Sequence, residues 1–164
     1  MAITSAICNS FKEEILQGGH CLNASGSTPA GNAIKCALYS SNSATLSKST
    51  TVWAAASDAT ADPTNTYEVT TTGSGYSSGG KTLTAIDPTL SGDSAVCDFS
   101  NESWTSATFT ARGLLLYNST AITGFTTNRS ICAINFGGDK TVTSGTFTIE
   151  FPSAAAGTAI IEIA

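Results

Sequence analysis

With 164 residues, a net charge of −5 and an isoelectric point near 4.6, the chain has the length of one domain and lacks the clustered Lys and Arg that nucleic-acid phosphates demand. Charged residues make up only 12%, while Ser and Thr fill more than a quarter, a bias of strand-rich proteins with many turns. No apolar run approaches the roughly 20 residues of a membrane span, so neither nucleic acid nor membrane is an expected partner.

The opening MAITSAICNSFKEE lacks the basic region and long apolar stretch of a secretory signal, which predicts synthesis in the cytoplasm. Ile7, Phe11 and Ile15 recur every four residues, Ser10-Phe11-Lys12-Glu13 has capping-box spacing with a start one turn earlier at Thr4 or Ser5 as the alternative, and Gly18-Gly19 supplies a stop. Residues 1–19 therefore form the one helical segment, too short to stand undocked. Residues 20–32 read as loop. Strands are expected at 33–39, 66–71 and 81–86, the last stopped by Asp87-Pro88. Between them lie the polar stretch 40–62, with an isolated Val52-Trp53, and a glycine-serine turn at 73–80.

Strands at 95–99, 103–111 and 113–118 follow in quick succession. In the second, Thr105, Ala107, Phe109 and Ala111 alternate with Trp104, Ser106, Thr108 and Thr110, the period of a strand with one face in a core. Leu114, Leu115, Leu116 and Tyr117 do not alternate, which predicts cover on both faces; Arg112-Gly113 between the runs predicts a bend or bulge. Residues 131–136, the turn Gly137-Gly138-Asp139-Lys140, and strands at 145–151 and 159–164 complete about nine strands. The fold expected is all-β: a single β-sandwich or jelly-roll-like domain over 1–164, with its strands in 33–164 behind the short N-terminal helix.

Candidate sites are few. Gly75-Tyr76-Ser77-Ser78-Gly79-Gly80-Lys81-Thr82 matches the phosphate-loop pattern, but that chemistry needs the loop to open a helix, and here an alternating strand follows. A hairpin loop is expected, without nucleotide or other cofactor. Asp58, Asp62, Asn65 and Glu68 lack the spacing of a calcium loop and read as a solvated acidic loop. Asn23, Asn101, Asn118 and Asn128 begin N-x-S/T triplets that so Ser/Thr-rich a chain produces by chance. The single His20, beside Cys21, has no second imidazole to share a metal or a proton relay. No catalytic or metal constellation stands out, so no enzyme is expected.

Of the five cysteines, Cys36, Cys97 and Cys132 share strand faces with apolar neighbours and read as buried hydrophobes, whereas Cys8 and Cys21 flank the helix and are the candidates for a disulfide. Candidate interface residues are Phe11 and Ile15 on the helix stripe, and Trp53 and Tyr76 in loop-like surroundings.

Six segments in order, SFKEEILQG (10–18), IKCALYS (34–40), GSGYSSGGKTL (73–83), residues 104–118, FGGDK (136–140) and residues 147–152, resemble a family of small virion structural proteins of tailed bacteriophages. The resemblance implies a non-enzymatic component present in many copies on the outer surface of the particle. A capsid decoration or cement protein is the first expectation: a homo-oligomer, a trimer, bound to the major capsid protein. A tail, neck or fibre component with a receptor- or glycan-binding role is the alternative, and a carbohydrate-active β-sandwich enzyme a distant third. Cys8, Cys21 and Cys36 depart from what the family leads one to expect, which raises covalent reinforcement between subunits as a further expectation.

Overall fold

A computed structural model describes residues 3–40, 45–54 and 67–164. It is an all-β domain of two antiparallel sheets with one short helix. In chain order the elements are β1 (Ala6–Ile7), α1 (Asn9–Leu16), β2 (Ile34–Tyr39), β3 (Lys81–Thr82), β4 (Ala85–Ser91), β5 (Ser94–Phe99), β6 (Glu102–Asn118), β7 (Arg129–Ile149) and β8 (Ile161–Ile163). The larger sheet runs β1-β7-β6-β2-β3 and the smaller β4-β5-β8. Cys97, Phe99 and Ile161 of the smaller sheet share one core cluster with Cys36, Leu38, Leu114, Leu116 and Cys132 of the larger. This gives the layered arrangement of a sandwich.

The larger sheet is also covered on its other face. Ala37, Tyr39, Leu115, Tyr117 and Ala133 form a second cluster beneath Ile3 and Leu46, with Trp53 packed against it. The unbroken apolar run 114–117 is thus buried on both faces, and Leu115 has no exposed surface. At about 25 cal/mol per Å² of apolar surface, each such side chain contributes about 1.5–3 kcal/mol.

Several boundaries differ from the sequence reading. Residues 103–111 and 113–118 are one strand, β6, with a register break between Ala111 and Gly113 where the bend was expected. Opposite it, Gly137-Gly138-Asp139-Lys140 is not a hairpin turn. Ala111 pairs with Lys140 and Gly113 with Asn135, so residues 136–139 form a bulge facing Arg112 alone, and β7 continues through it. Arg112 reaches Asp139 across the bulge at 3.5 Å, and a Cβ on Gly113 would meet the Ile134 carbonyl oxygen at 2.5 Å.

A second bulge, at Ser106 with φ of 51°, breaks the register between Trp104 and Ala107. It turns Trp104 onto the core face with Ala107, Phe109 and Ala111, whereas simple alternation puts it on the opposite face. Pro88 does not stop its strand either: β4 is an edge strand, and its ladder skips from Ile86 to Thr89, where a missing N–H costs nothing. Of the expected strand at 66–71, residue 66 lies outside the described residues. The rest supplies one bridge, Glu68 to Tyr39.

The helix begins earlier than the capping-box reading. Its N-cap is Cys8, without a side-chain cap, and Ile7 pairs with Cys132 as part of β1 instead of starting the helical stripe. The reason is tertiary: an edge of β7 offers ladder hydrogen bonds that residues 6–7 take before the helix can start.

Candidate functional site

The helix is fastened to the sandwich by a buried polar cluster that sequence reasoning missed. Glu14 on α1, His20 after it, Asn118 at the end of β6 and Arg129 at the start of β7 converge beneath Gly19. Glu14 Oε2 lies 2.7 Å from His20 Nε2 and 3.6 Å from Arg129 Nε. Arg129, with no exposed surface, donates to the carbonyls of Thr126 at 2.7 Å and Gly19 at 2.6 Å. Asn118 Nδ2 faces His20 Nδ1 at 3.1 Å and Asn32 Oδ1 at 2.8 Å.

An amide nitrogen can only donate, so Nδ1 of His20 accepts and the ring proton sits on Nε2, pointing at Glu14. Burial lowers the His20 pKa; the Glu14 hydrogen bond opposes that shift and the Arg129 charge reinforces it. Both ring nitrogens are occupied, so His20 is not placed to activate Cys21, whose sulfur lies 4.0 Å from the Pro29 carbonyl. Asn118 has no exposed surface, which leaves its N-x-S/T triplet inaccessible.

The loop matching the phosphate pattern does bind an anion, but an internal one. Glu68 Oε1 accepts from the Gly79 N–H at 2.6 Å and the Tyr76 hydroxyl at 2.8 Å, and its Oε2 accepts from Ser78 Oγ at 3.2 Å. Burial raises the Glu68 pKa, and these donors pull it back. Gly80, at φ of 67°, lies so close to β2 that a Cβ would meet the Cys36 carbonyl oxygen at 1.7 Å. The glycines therefore serve close packing of the loop against β2. Lys81 turns away, pairing with Glu102 at 3.0 Å and bonding the Ser103 carbonyl. Asp58, Asp62 and Asn65 lie outside the described residues, and Glu68 is committed to this loop.

The four candidate interface residues occupy different surroundings. Phe11 and Tyr76 are core residues, 2% and 3% exposed. The Tyr76 hydroxyl accepts the Leu38 N–H at 3.0 Å while donating to Glu68, filling the gap along β2 between its pairing with β3 and the Tyr39–Glu68 bridge. Trp53 is half-buried and stacks on Tyr117 with centroids 5.1 Å apart and planes 10° from parallel, a lid over the second cluster. Ile15 is half-buried and lines an apolar wedge of about 380 Å³ between the helix end and the smaller sheet. A second open apolar groove, of about 470 Å³, lies between β7 and the segment leading to β8.

All five cysteines are free thiols. Cys8, expected to resist placement in a core, is fully buried because β1 and the helix start dock on β7. Burial pushes its thiol pKa up to about 12. It cannot meet a neighbouring chain while the helix is docked. Cys21 is the one partly exposed thiol, and it too lines the wedge. Among the described residues no group of three or more His, Cys, Asp or Glu is arranged to hold a metal. Comparison with protein-family models, with curated proteins and with solved structures yields no match.

Proposed function

We propose that this protein is a non-enzymatic structural component of a tailed-phage virion, a decoration protein that binds the major capsid protein lattice from outside and stabilises it. The observation carrying this reading is where the six resembling segments fall. They map onto α1, β2, the loop that holds Glu68, most of β6, the β7 bulge and the end of β7, which together are the framework of the fold. A likeness distributed over a framework points to a shared architecture more than to a shared short motif.

Two further features support it. Four ionisable groups of the interior are spent on internal bonds: His20 and Arg129 on Glu14, and Glu68 on its own loop. Apolar surface is left outward instead, with Leu16, Leu90 and Ile163 at 89%, 79% and 57% exposure. For a shell component, modest contacts repeated over many copies add through multivalency.

Quantitative mass spectrometry and a density map of intact particles test the proposal. Hundreds of copies spread over the shell are expected. A few to dozens at the vertex or tail would assign the alternative role, a tail, neck or fibre component, and absence from the particle would overturn both.

A further inference from the structure

The smaller sheet overhangs the rest of the sandwich. Its inward face carries Phe99, Cys97 and Ala95 in turn along β5. In register across the sheet, Cys97 pairs with Ile161, and both are buried. One step further out, Ala95 pairs with Leu90 on one side and Ile163 on the other, and this apolar row projects beyond the layer that covers its neighbours. Ala95 and Ile163 of this row line the 380 Å³ wedge, together with Ile15 and Leu22.

No Asp, Glu, Lys or Arg lines the wedge, and the segments that build it are poor in cations. Residues 82–101 and 150–164 contain Asp and Glu but no Lys or Arg, and residues 17–34 contain none of the four. Asp87 is already held by Ser27 and by the Ala24 N–H, and Asp98 is buried. Asp93, in the turn between β4 and β5, is exposed and has no ion-pair partner among the described residues.

Beside the wedge, α1 presents the opposite features. Leu16 is the most exposed large hydrophobic among the described residues. Lys12, four residues earlier and so on the same helix face, is exposed and likewise has no ion pair among the described residues. We propose that these two surfaces fit each other across a subunit boundary: Leu16 of one copy seats in the wedge of a second copy, with Lys12 against Asp93, two residues before the lining residue Ala95.

Ile15 lines the wedge while Leu16 follows it on the outer side, so knob and socket lie side by side on the molecule. That adjacency suits a two-fold axis, on which each copy gives its knob and receives the other. The contact buries apolar surface at its centre and pairs opposite charges at its rim, the usual anatomy of a specific interface. The inference concerns the isolated protein and does not depend on where in a particle it works.

Sedimentation velocity of the full-length protein over a concentration series, at low and at high salt, tests it. Reversible dimerisation is expected. Leu16→Asp should weaken it by about thirtyfold or more, the effect of removing an interface anchor. Lys12→Glu or Asp93→Lys should each weaken it about two- to fivefold, and the double reversal should recover the loss. These side chains are exposed, so a melting curve matching the wild type verifies each variant's fold. A wild-type protein monomeric at every concentration, or a dimer indifferent to Leu16→Asp, overturns the proposal. Particle copy number is unaffected by either result and continues to test the virion reading separately.

Discussion

Residues 102–111 and 113–118 belong to the same strand and pair with the same neighbour, yet they sit in different surroundings. In the outer half, exposed Thr105, Ser106 and Thr108 are interleaved with buried Trp104, Ala107 and Phe109. In the inner half every residue from Gly113 to Asn118 is buried, because Ile3, Leu46 and Trp53 close the face that the outer half leaves to water. The ladder differs as well: residues 113–118 pair with β2 on one side and β7 on the other, while residues 102–111 have, among the described residues, a strand partner in β7 alone, so partners and covering layers together separate the halves. The inner half is where stability resides, and the outer half is where sequence can change cheaply.

The largest test of that contrast is Leu115→Asp. An unpaired charge would enter a site closed on both faces, at a cost of several kcal/mol against a total domain stability of about 5–15 kcal/mol. Loss of the cooperative thermal transition by circular dichroism is expected, and wild-type melting would refute the double cover. In the outer half Phe147→Ala removes a ring that is half-buried, 5.0 Å from Phe109 and 6.2 Å from Trp104. About 2 kcal/mol is expected, below the 3–5 typical of a fully buried aromatic, and the domain should still fold with a melting point lower by several degrees.

The inner end also carries the pH dependence. Folded His20 releases its proton more readily than the unfolded chain, whose value is the ordinary 6.5. As pH falls through that value towards the lower folded one, the unfolded state binds more protons, and stability falls with pH. Glu68 acts in the opposite sense: its raised pKa makes the folded state bind more protons above the ordinary 4.5, so it adds stability as pH falls. Urea midpoints near pH 7 and near pH 5 for wild type and His20→Gln separate the two. The variant should lose the acid-sensitive part of the decline and keep the Glu68 contribution.

Thiol reactivity sharpens the contrast further. Cys36 on β2 and Cys132 on β7, which pair with Leu116 from either side of the inner half, have thiol pKa values raised by burial, and burial pushes Cys8 and Cys97 up to about 12. Cys21 alone is partly exposed, so mass spectrometry after brief alkylation of the native protein should find one modified thiol, and five after denaturation. The smallest effect belongs to Lys81→Ala, which removes a surface ion pair with Glu102 at the far end of the outer half. A change of about 0.5 kcal/mol or less is expected by denaturant titration, with assembly unaffected.

Sequence by itself determined what depends on neighbours along the chain. The alternation of Ala107, Phe109 and Ala111, the solid run 114–117, the break at Arg112-Gly113 and the Phe11–Ile15 stripe each state a periodicity. A periodicity fixes element type and buried face wherever the ladder stays regular. Only the tertiary structure decided what depends on a partner strand or a covering layer. Trp104 faces the core because a bulge at Ser106 shifts its register, and β7 runs through Gly137-Gly138 because β6 continues opposite. Cys8 and Tyr76 are internal because segments far away in sequence close over them. The polar cluster of Glu14, His20, Asn118 and Arg129 was illegible for the same reason: its members span over a hundred positions, and only the docking of α1 onto β6 and β7 makes them one site.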